Sequence, residues 1–347
     1  MVFFIYRNKI KFCRIRKRGL RIVLLLVVLV FTLCFLLVYW KHRHVNSLIE
    51  GEPPIYVTDL CFVLDKNLLA VILVNSAAIN VNRRRLIRAT WANKYLCRAL
   101  KIAVVFLVGR SDDPVLMREV NDERKLYGDV LQVDTVDSYR HLVEKIVNGI
   151  DWSLKNCPNT KYVTKIDDDV FLNIFEFQRY LEETIIHRQA AHFICLLWPS
   201  IDVQRDTLSK WYVSYEEYPH PTYPPYCSGA AYIMPHGVAS KICQLYLKEP
   251  IFWIEDVYIT GFLAARGNLG HFQAGHFYGF VNYKYDNLIR GNIIFAHINK
   301  NETAIKNNLW KSILNYQKLI NNTLIVAPET YKVEILPTDS YDYYEVN

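Results

Sequence analysis

Ile22 to Trp40 is a run of nineteen residues without one charged side chain. About 20 apolar residues at 1.5 Å rise each cross the hydrocarbon core of a bilayer. The run is rich in Leu, Val and Phe and ends in Tyr39-Trp40, side chains suited to the membrane interface. Eight basic residues precede it, from Arg7 to Arg21, and only Lys41 and Arg43 follow within twenty positions. The excess of positive charge assigns the N-terminal side to the cytosol and residues 41–347 to the far side. A cleaved signal peptide would have a shorter apolar region and a small-residue cleavage site, and neither is present. The chain therefore reads as a cytoplasmic tail over 1–21, a signal anchor over 22–40, a stem over 41–66, a lumenal domain over 67–324 and an acidic, Tyr-rich tail over 325–347.

The formal charge of +7 is carried by that first segment. Of 41 Lys and Arg against 34 Asp and Glu, eight basic and no acidic side chains lie in residues 1–40. The rest of the chain is close to neutral, which speaks against a nucleic-acid partner. With 52% hydrophobic residues, a disordered chain is excluded as well. Six cysteines fall beyond the membrane: Cys61, Cys97, Cys157, Cys195, Cys227 and Cys243. In an oxidising compartment they could form three disulfides, and no Cys or His spacing points to zinc. Asn301 and Asn321 head glycosylation sequons, meaningful only on that side.

From Leu68 the pattern is that of an α/β protein. Leu68–Val74, Ile102–Val108 and Lys161–Ile166 are short apolar runs, the signature of strands buried on both faces. Helical spacing is expected from Arg83, over Tyr139–Ile150 with Asp137 or Ser138 as N-cap, and over Phe171–His187. The alternation predicts a doubly wound, mostly parallel sheet. Residues 198–235, dense in Trp, Tyr and Pro, read as an irregular binding loop.

Four places could carry chemistry. Asp167-Asp168-Asp169 ends a predicted strand, where such sheets bind ligands. Adjacent carboxylates repel unless a cation or hydrogen bonds compensate, so the triplet is either a solvated turn or a site for a hard divalent ion beside a diphosphate. Glu255-Asp256 stands among apolar neighbours, as a general base of raised pKa would, though acids at a helix N-terminus are also common. Arg83-Arg84-Arg85-Leu86-Ile87-Arg88 could hold phosphate or be a solvated helix face. His297 ends an apolar run and could be a plain core residue.

In this order the pieces resemble the β1,3-galactosyltransferase family (glycosyltransferase family 31). The resemblance rests on Arg84 with Ile87-Arg88-Ala89-Thr90-Trp91, Phe106–Gly109, Asp137-Ser138-Tyr139 with Leu142 and Lys145, and Tyr162–Asp169. It continues through Ser209–Tyr212, Tyr223–Gly229, Tyr232 and Glu255–Tyr258. It implies a GT-A fold behind the single anchor, a type II Golgi location, and inverting transfer of a sugar from a UDP-sugar to a glycan hydroxyl in β1,3 linkage. The donor implied is UDP-galactose first, with UDP-GlcNAc and UDP-GalNAc as alternatives, and the acceptor an oligosaccharide on a glycoprotein or glycolipid. It implies a divalent metal, usually Mn, at Asp169, Asp167 and His297, and donor contacts from Arg84, Arg88, Lys165, Asp167 and Asp168. Asp256 is the implied base; Trp211, Tyr223, Tyr226 and Glu255 are expected on the acceptor side. Ala231 replaces a family glycine and is expected to narrow the pocket. Cys61–Cys97 and Cys195–Cys227 are the expected bonds. A catalytically silent partner of another transferase is the alternative class, and such a protein would be expected to lose the metal or base carboxylates.

Overall fold

The first strands form where the sequence is most uniformly branched and apolar. β1 (Ala70–Asn75), β2 (Ile102–Arg110), β3 (Val130–Val136) and β4 (Tyr162–Asp167) run parallel and are almost wholly buried in β1 and β2. The computed structural model describes Cys61 and residues 68–186, 192–280, 283–298 and 303–320. The chain divides into Met1–Pro54 and Ile55–Asn347, and every described residue belongs to the second unit. The tail 1–21, the span Ile22–Trp40, the stem, both sequon asparagines and the tail 325–347 lie outside the described residues. Among the described residues no helix is long and apolar enough to cross a membrane.

The sheet has seven strands in the order β3-β2-β1-β4-β7-β6-β8. β6 (His192–Trp198) and β8 (Gly270–Gln273) pair in parallel, while β7 (Tyr226–Pro235) runs antiparallel to both β4 and β6. A small sheet, β5-β10-β9, joins Val170–Leu172, Phe295–His297 and Tyr278–Gly279. The mostly parallel α/β expectation is thus met. Two local readings are corrected. Phe171 and Leu172 belong to β5, and the helix begins only at Ile174. The segment from Tyr226 is a central strand rather than loop: its ten residues gain two antiparallel partners, a tertiary contribution that local composition does not carry.

Alternate side chains of β1 feed two apolar layers. Ala70, Ile72 and Val74 share one with Ile87 of α1 (Val81–Ala89), Val120 of α3 (Pro114–Tyr127) and Phe177 of α5 (Ile174–Ile186). Val71 and Leu73 share the other with Ile146 of α4 (Leu142–Asn156) and Ile242 of α6 (His236–Tyr246). The short α2 (Lys94–Ala99) precedes β2. α3 starts where Asp113 accepts the Val115 N–H at 2.8 Å, with Pro114 in the first turn, and stops at Gly128 with φ of 66°. α4 lies so close to β2 that a Cβ on Gly149 would sit 2.5 Å from Leu107.

Cys195–Cys227 forms as expected, between β6 and β7 with Cα atoms 5.6 Å apart. Cys61 bonds instead to Cys157, at the C-terminal end of α4. The reason is layering: Cys97 is buried on the opposite face of the sheet from Cys61 and Cys157, and it remains a free thiol, as does Cys243.

Candidate active site

β1 and β4 are adjacent parallel strands; the chain leaves β1 toward β2 and leaves β4 toward β5 of the small sheet. Sheets of this kind bind ligands at the carboxyl ends of their strands. The register sets Asn75 opposite Asp167, and the three aspartates emerge there.

Each aspartate has a separate neighbourhood. Asp168 is buried; it accepts from Ser76 Oγ at 2.7 Å and Asn80 Nδ2 at 2.9 Å, and pairs with Arg83. Asp167 accepts from Asn75 Nδ2 at 3.0 Å and pairs with Lys165 Nζ at 2.8 Å. Burial raises the pKa of Asp167; Lys165 opposes that and Asp169 adds to it. Asp169 is 30% exposed and faces His297, whose Nε2 lies 3.7 Å from its carboxylate. β10 (Phe295–His297) brings them together by pairing His297 with Val170 of β5. His297 is 41% exposed, so it is not a core residue.

Lys165 is 2% exposed and joins this group to the second acidic site. Its Nζ donates to the Gly229 carbonyl of β7 and lies 3.5 Å from Glu255. Burial works against its charge, but Asp167 and Glu255 outweigh it and raise its pKa. Glu255 and Asp256 open α7 (Glu255–Val257), which continues as a π turn (Tyr258–Phe262) and α8 (Leu263–Gly267). Asp256 accepts from the N–H groups of Gly229 at 3.0 Å and Val257 at 2.9 Å. Its pKa is raised, chiefly by burial, with Lys165 and the two N–H groups pulling the other way. The strand can approach because residue 229 is glycine: a Cβ there would meet the carboxylate at 2.9 Å. Thr260 fixes the same turn, donating to the Asp256 carbonyl at 2.5 Å and accepting the Cys227 N–H at 2.8 Å.

Several of the expected residues are engaged inside the fold. Arg84 is fully buried, doubly bonded to Glu123 and donating to the carbonyls of Ala77 and Ala78. Arg88 pairs with Glu123 and Asp129 and stacks on Phe106 and Tyr127. Arg84 braces the loop after β1 from behind, and Arg88 fastens α1 to α3 and to the start of β3; Arg83 is the member of that cluster which reaches the aspartates. Lys165 and Asp168, expected as donor contacts, are internal struts of the crevice. Glu255, expected toward the acceptor, is 6% exposed and bonded to Tyr232. Tyr223 and Tyr226 are buried in a small core with Val203, Val213, Ile254 and Val257. Ala231 is fully buried opposite Ile166 of β4, so its methyl fills core rather than pocket.

Trp211 does stay accessible, at 48%. Its Nε1 donates to the Tyr139 hydroxyl at 2.8 Å. The Tyr139 ring meets Trp253 edge-on at 5.9 Å. Burial and then the nearby Asp256 push the Tyr139 pKa up to about 12. Arg205 orders the surrounding loop by donating to the carbonyls of Val213, Tyr218 and His220. Behind the first loop, Lys145 donates to the Ser76 carbonyl and Asp137, each at 2.8 Å. Asp137 therefore ties loops together instead of capping a helix; its other oxygen accepts the Ala78 N–H at 2.8 Å.

Among the described residues no group of three or more His, Cys, Asp or Glu side chains stands ready for a metal. Asp169 and His297 offer two open donors, the sparse set that suits a hard divalent ion completed by diphosphate oxygens and water.

The chain matches the family model described as Galactosyltransferase over residues 82–273. It is 34% identical over 218 residues to "UDP-GalNAc:beta-1,3-N-acetylgalactosaminyltransferase 1" of Rattus norvegicus, covering 59% of this chain and 65% of that one. It is 34% identical over 196 residues to "Beta-1,3-galactosyltransferase 1" of Mus musculus, covering 56% and 60%. The matched stretch thus spans less than two thirds of either relative. A crystal structure of a glycosyltransferase involved in glycosylation of the PBCV-1 major capsid aligns at 10% identity over 70% of this chain and 98% of that one, with a TM-score of 0.39, too loose a likeness to assign a fold.

Proposed function

Since the chain belongs to the galactosyltransferase family, we propose that it is a GT-A transferase that moves a galacto-configured sugar from a UDP-sugar to a glycan hydroxyl in β1,3 linkage. Galactose is the first candidate and N-acetylgalactosamine the second, since relatives named for each are equally identical to this chain. One observation carries the reading. A single buried lysine, Lys165, contacts both Asp167 at the end of β4 and Glu255 beside Asp256, which joins the proposed nucleotide side and the proposed base in one site.

In this reading the diphosphate lies against the loop Asn75–Asn80 and the aspartates, with Asp169 and His297 as ligands to a divalent ion. Such an ion would offset the charge that grows on the departing UDP. Asp256 takes the proton of the acceptor hydroxyl, whose oxygen then bonds to the anomeric carbon as the bond to UDP breaks, with inversion. Trp211 and Tyr139 line the acceptor side. The chain is a type II protein of the Golgi membrane, supported by the Ile22–Trp40 run, its basic flank and two disulfides. The silent-partner reading finds no support, since Asp167, Asp169 and Asp256 are all in place.

The test uses the full-length chain in detergent. UDP release is followed with Mn present or chelated, across UDP-galactose, UDP-GalNAc and UDP-GlcNAc, against a panel of sugar acceptors. Metal-dependent turnover with a galacto donor is expected. Turnover only with UDP-GlcNAc would overturn the donor assignment. Silence throughout with no UDP–Mn binding by calorimetry would favour a silent partner protein, and silence with that binding intact would point to an acceptor outside the panel.

A further inference from the structure

Glu255 has no access to substrate, yet it is the acid immediately before the base. It is 6% exposed, and its two oxygens are both engaged inside the fold. Oε1 accepts the Tyr232 hydroxyl of β7, and Oε2 lies 3.5 Å from Lys165 Nζ. The same Nζ donates to the Gly229 carbonyl, and the Gly229 N–H donates to Asp256 Oδ2 at 3.0 Å. A continuous path of polar contacts therefore runs from Tyr232 through Glu255, Lys165 and Gly229 to the base.

We infer that Glu255 is a positioning residue that, with Tyr232, pins Lys165 on the Gly229 peptide and so sets the aim of Asp256. The inference rests on the transferase reading for its effect on rate, though not for its geometry. A buried lysine shared by Asp167, Glu255 and a carbonyl has a competing partner on the nucleotide side. Removing the Glu255 charge leaves Asp167 as its sole close carboxylate. Lys165 then swings toward Asp167, the Gly229 peptide loses its clamp, and the N–H that orients Asp256 is free to turn. An effect of this kind appears in kcat, because proton transfer depends on alignment to a fraction of an ångström, while substrates that touch neither Glu255 nor Tyr232 bind as before.

Glu255→Gln keeps the shape and removes the charge; Tyr232→Phe removes only the hydroxyl. In the full-length protein, assayed at about pH 8 where Glu255 is ionised, both are expected to lower kcat by on the order of tenfold to a hundredfold. The KM values of donor and acceptor should stay within about threefold, and UDP–Mn affinity by calorimetry should be unchanged. A raised acceptor KM with normal kcat would make Glu255 a substrate contact, and loss of UDP–Mn affinity would assign it to the nucleotide side; either result overturns the inference. A crystal structure of Glu255→Gln supplies a readout without turnover. Lys165 should have left the Gly229 carbonyl, and retention of both the Lys165–Gly229 and Gly229–Asp256 bonds would refute the path even in an inactive protein. Wild-type silence against every donor and acceptor would defeat the transferase reading alone. Should Glu255→Gln fail to fold, the Tyr232→Phe kinetics decide.

Discussion

Asp256 and Glu255 are neighbours with opposite fates, and their surroundings explain both. Asp256 keeps a partly open carboxylate, while Glu255 is enclosed and its pKa is pushed up to about 7, first by burial and then, against the pull of Lys165, by Asp256. Asp256→Asn is expected to leave UDP–Mn binding intact and to lower transfer by at least about a thousandfold, since general-base catalysis supplies roughly that much; near-normal turnover would remove it as base. Because the pKa of Asp256 is raised, activity should fall on acidification at a pH above the ordinary aspartate value of 3.8. A kcat–pH profile flat to pH 4 would contradict that. Glu255 gives a stability prediction of its own. Between 4.5 and about 7 the folded chain holds a proton on Glu255 that the unfolded chain has released, so this group costs stability as pH rises through that window. Glu255→Gln lacks the effect. Its stability relative to wild type should improve by on the order of 3 kcal/mol from about pH 4 to about pH 8, measured by denaturant melts, even as its rate falls. The acids themselves were legible in the sequence, because carboxylates amid apolar residues are conspicuous. Their partners were not: Glu123, which claims Arg84, is 39 residues away, and no local pattern shows that an arginine will be buried rather than presented to a phosphate.

At the level of elements, the parallel strands could be read directly because burial on both faces demands continuous apolar runs, and β1, β2 and β4 supply them. β7 escaped because its first half contains Tyr226-Cys227-Ser228-Gly229, residues that look like loop until β4 and β6 are placed on either side. Its glycine serves the site, not a turn, and the demand comes from Asp256 across the gap. Gly149 is the corresponding case in the scaffold. A methyl group there would overlap Leu107 at 2.5 Å, in a helix interior packed on β2. Gly149→Ala gains helix propensity but is overpacked, and a net destabilisation of about 1–3 kcal/mol is expected. Thermal melts decide it: a variant as stable as wild type would mean that α4 can move outward without loss.

For the whole molecule, the two disulfides and the N-terminal segment both bear on the proposed location. Cys61–Cys157 closes a loop of 96 residues and ties the start of the described fold to the end of α4; Cys195–Cys227 links β6 to β7. Such bonds persist in oxidising compartments, which is what the type II orientation proposed above requires of residues 41–347. Loss of the longer bond should be costly, by roughly 2–5 kcal/mol, because it restricts more than a quarter of the unfolded chain. If the domain is lumenal, the full-length chain made in secretory cells should carry sugar at Asn301 or Asn321, since acceptor asparagines are modified only on that side. Glycosidase treatment of intact vesicles should leave the chain unshifted, and treatment after detergent should increase its mobility in two steps or one, lost in order as Asn301→Gln and Asn321→Gln are introduced. Protease added outside should remove only the short basic tail. Digestion of the bulk of the chain in intact vesicles, with no mobility shift under any treatment, would place the domain in the cytosol, where neither disulfide would survive and the type II assignment would fail.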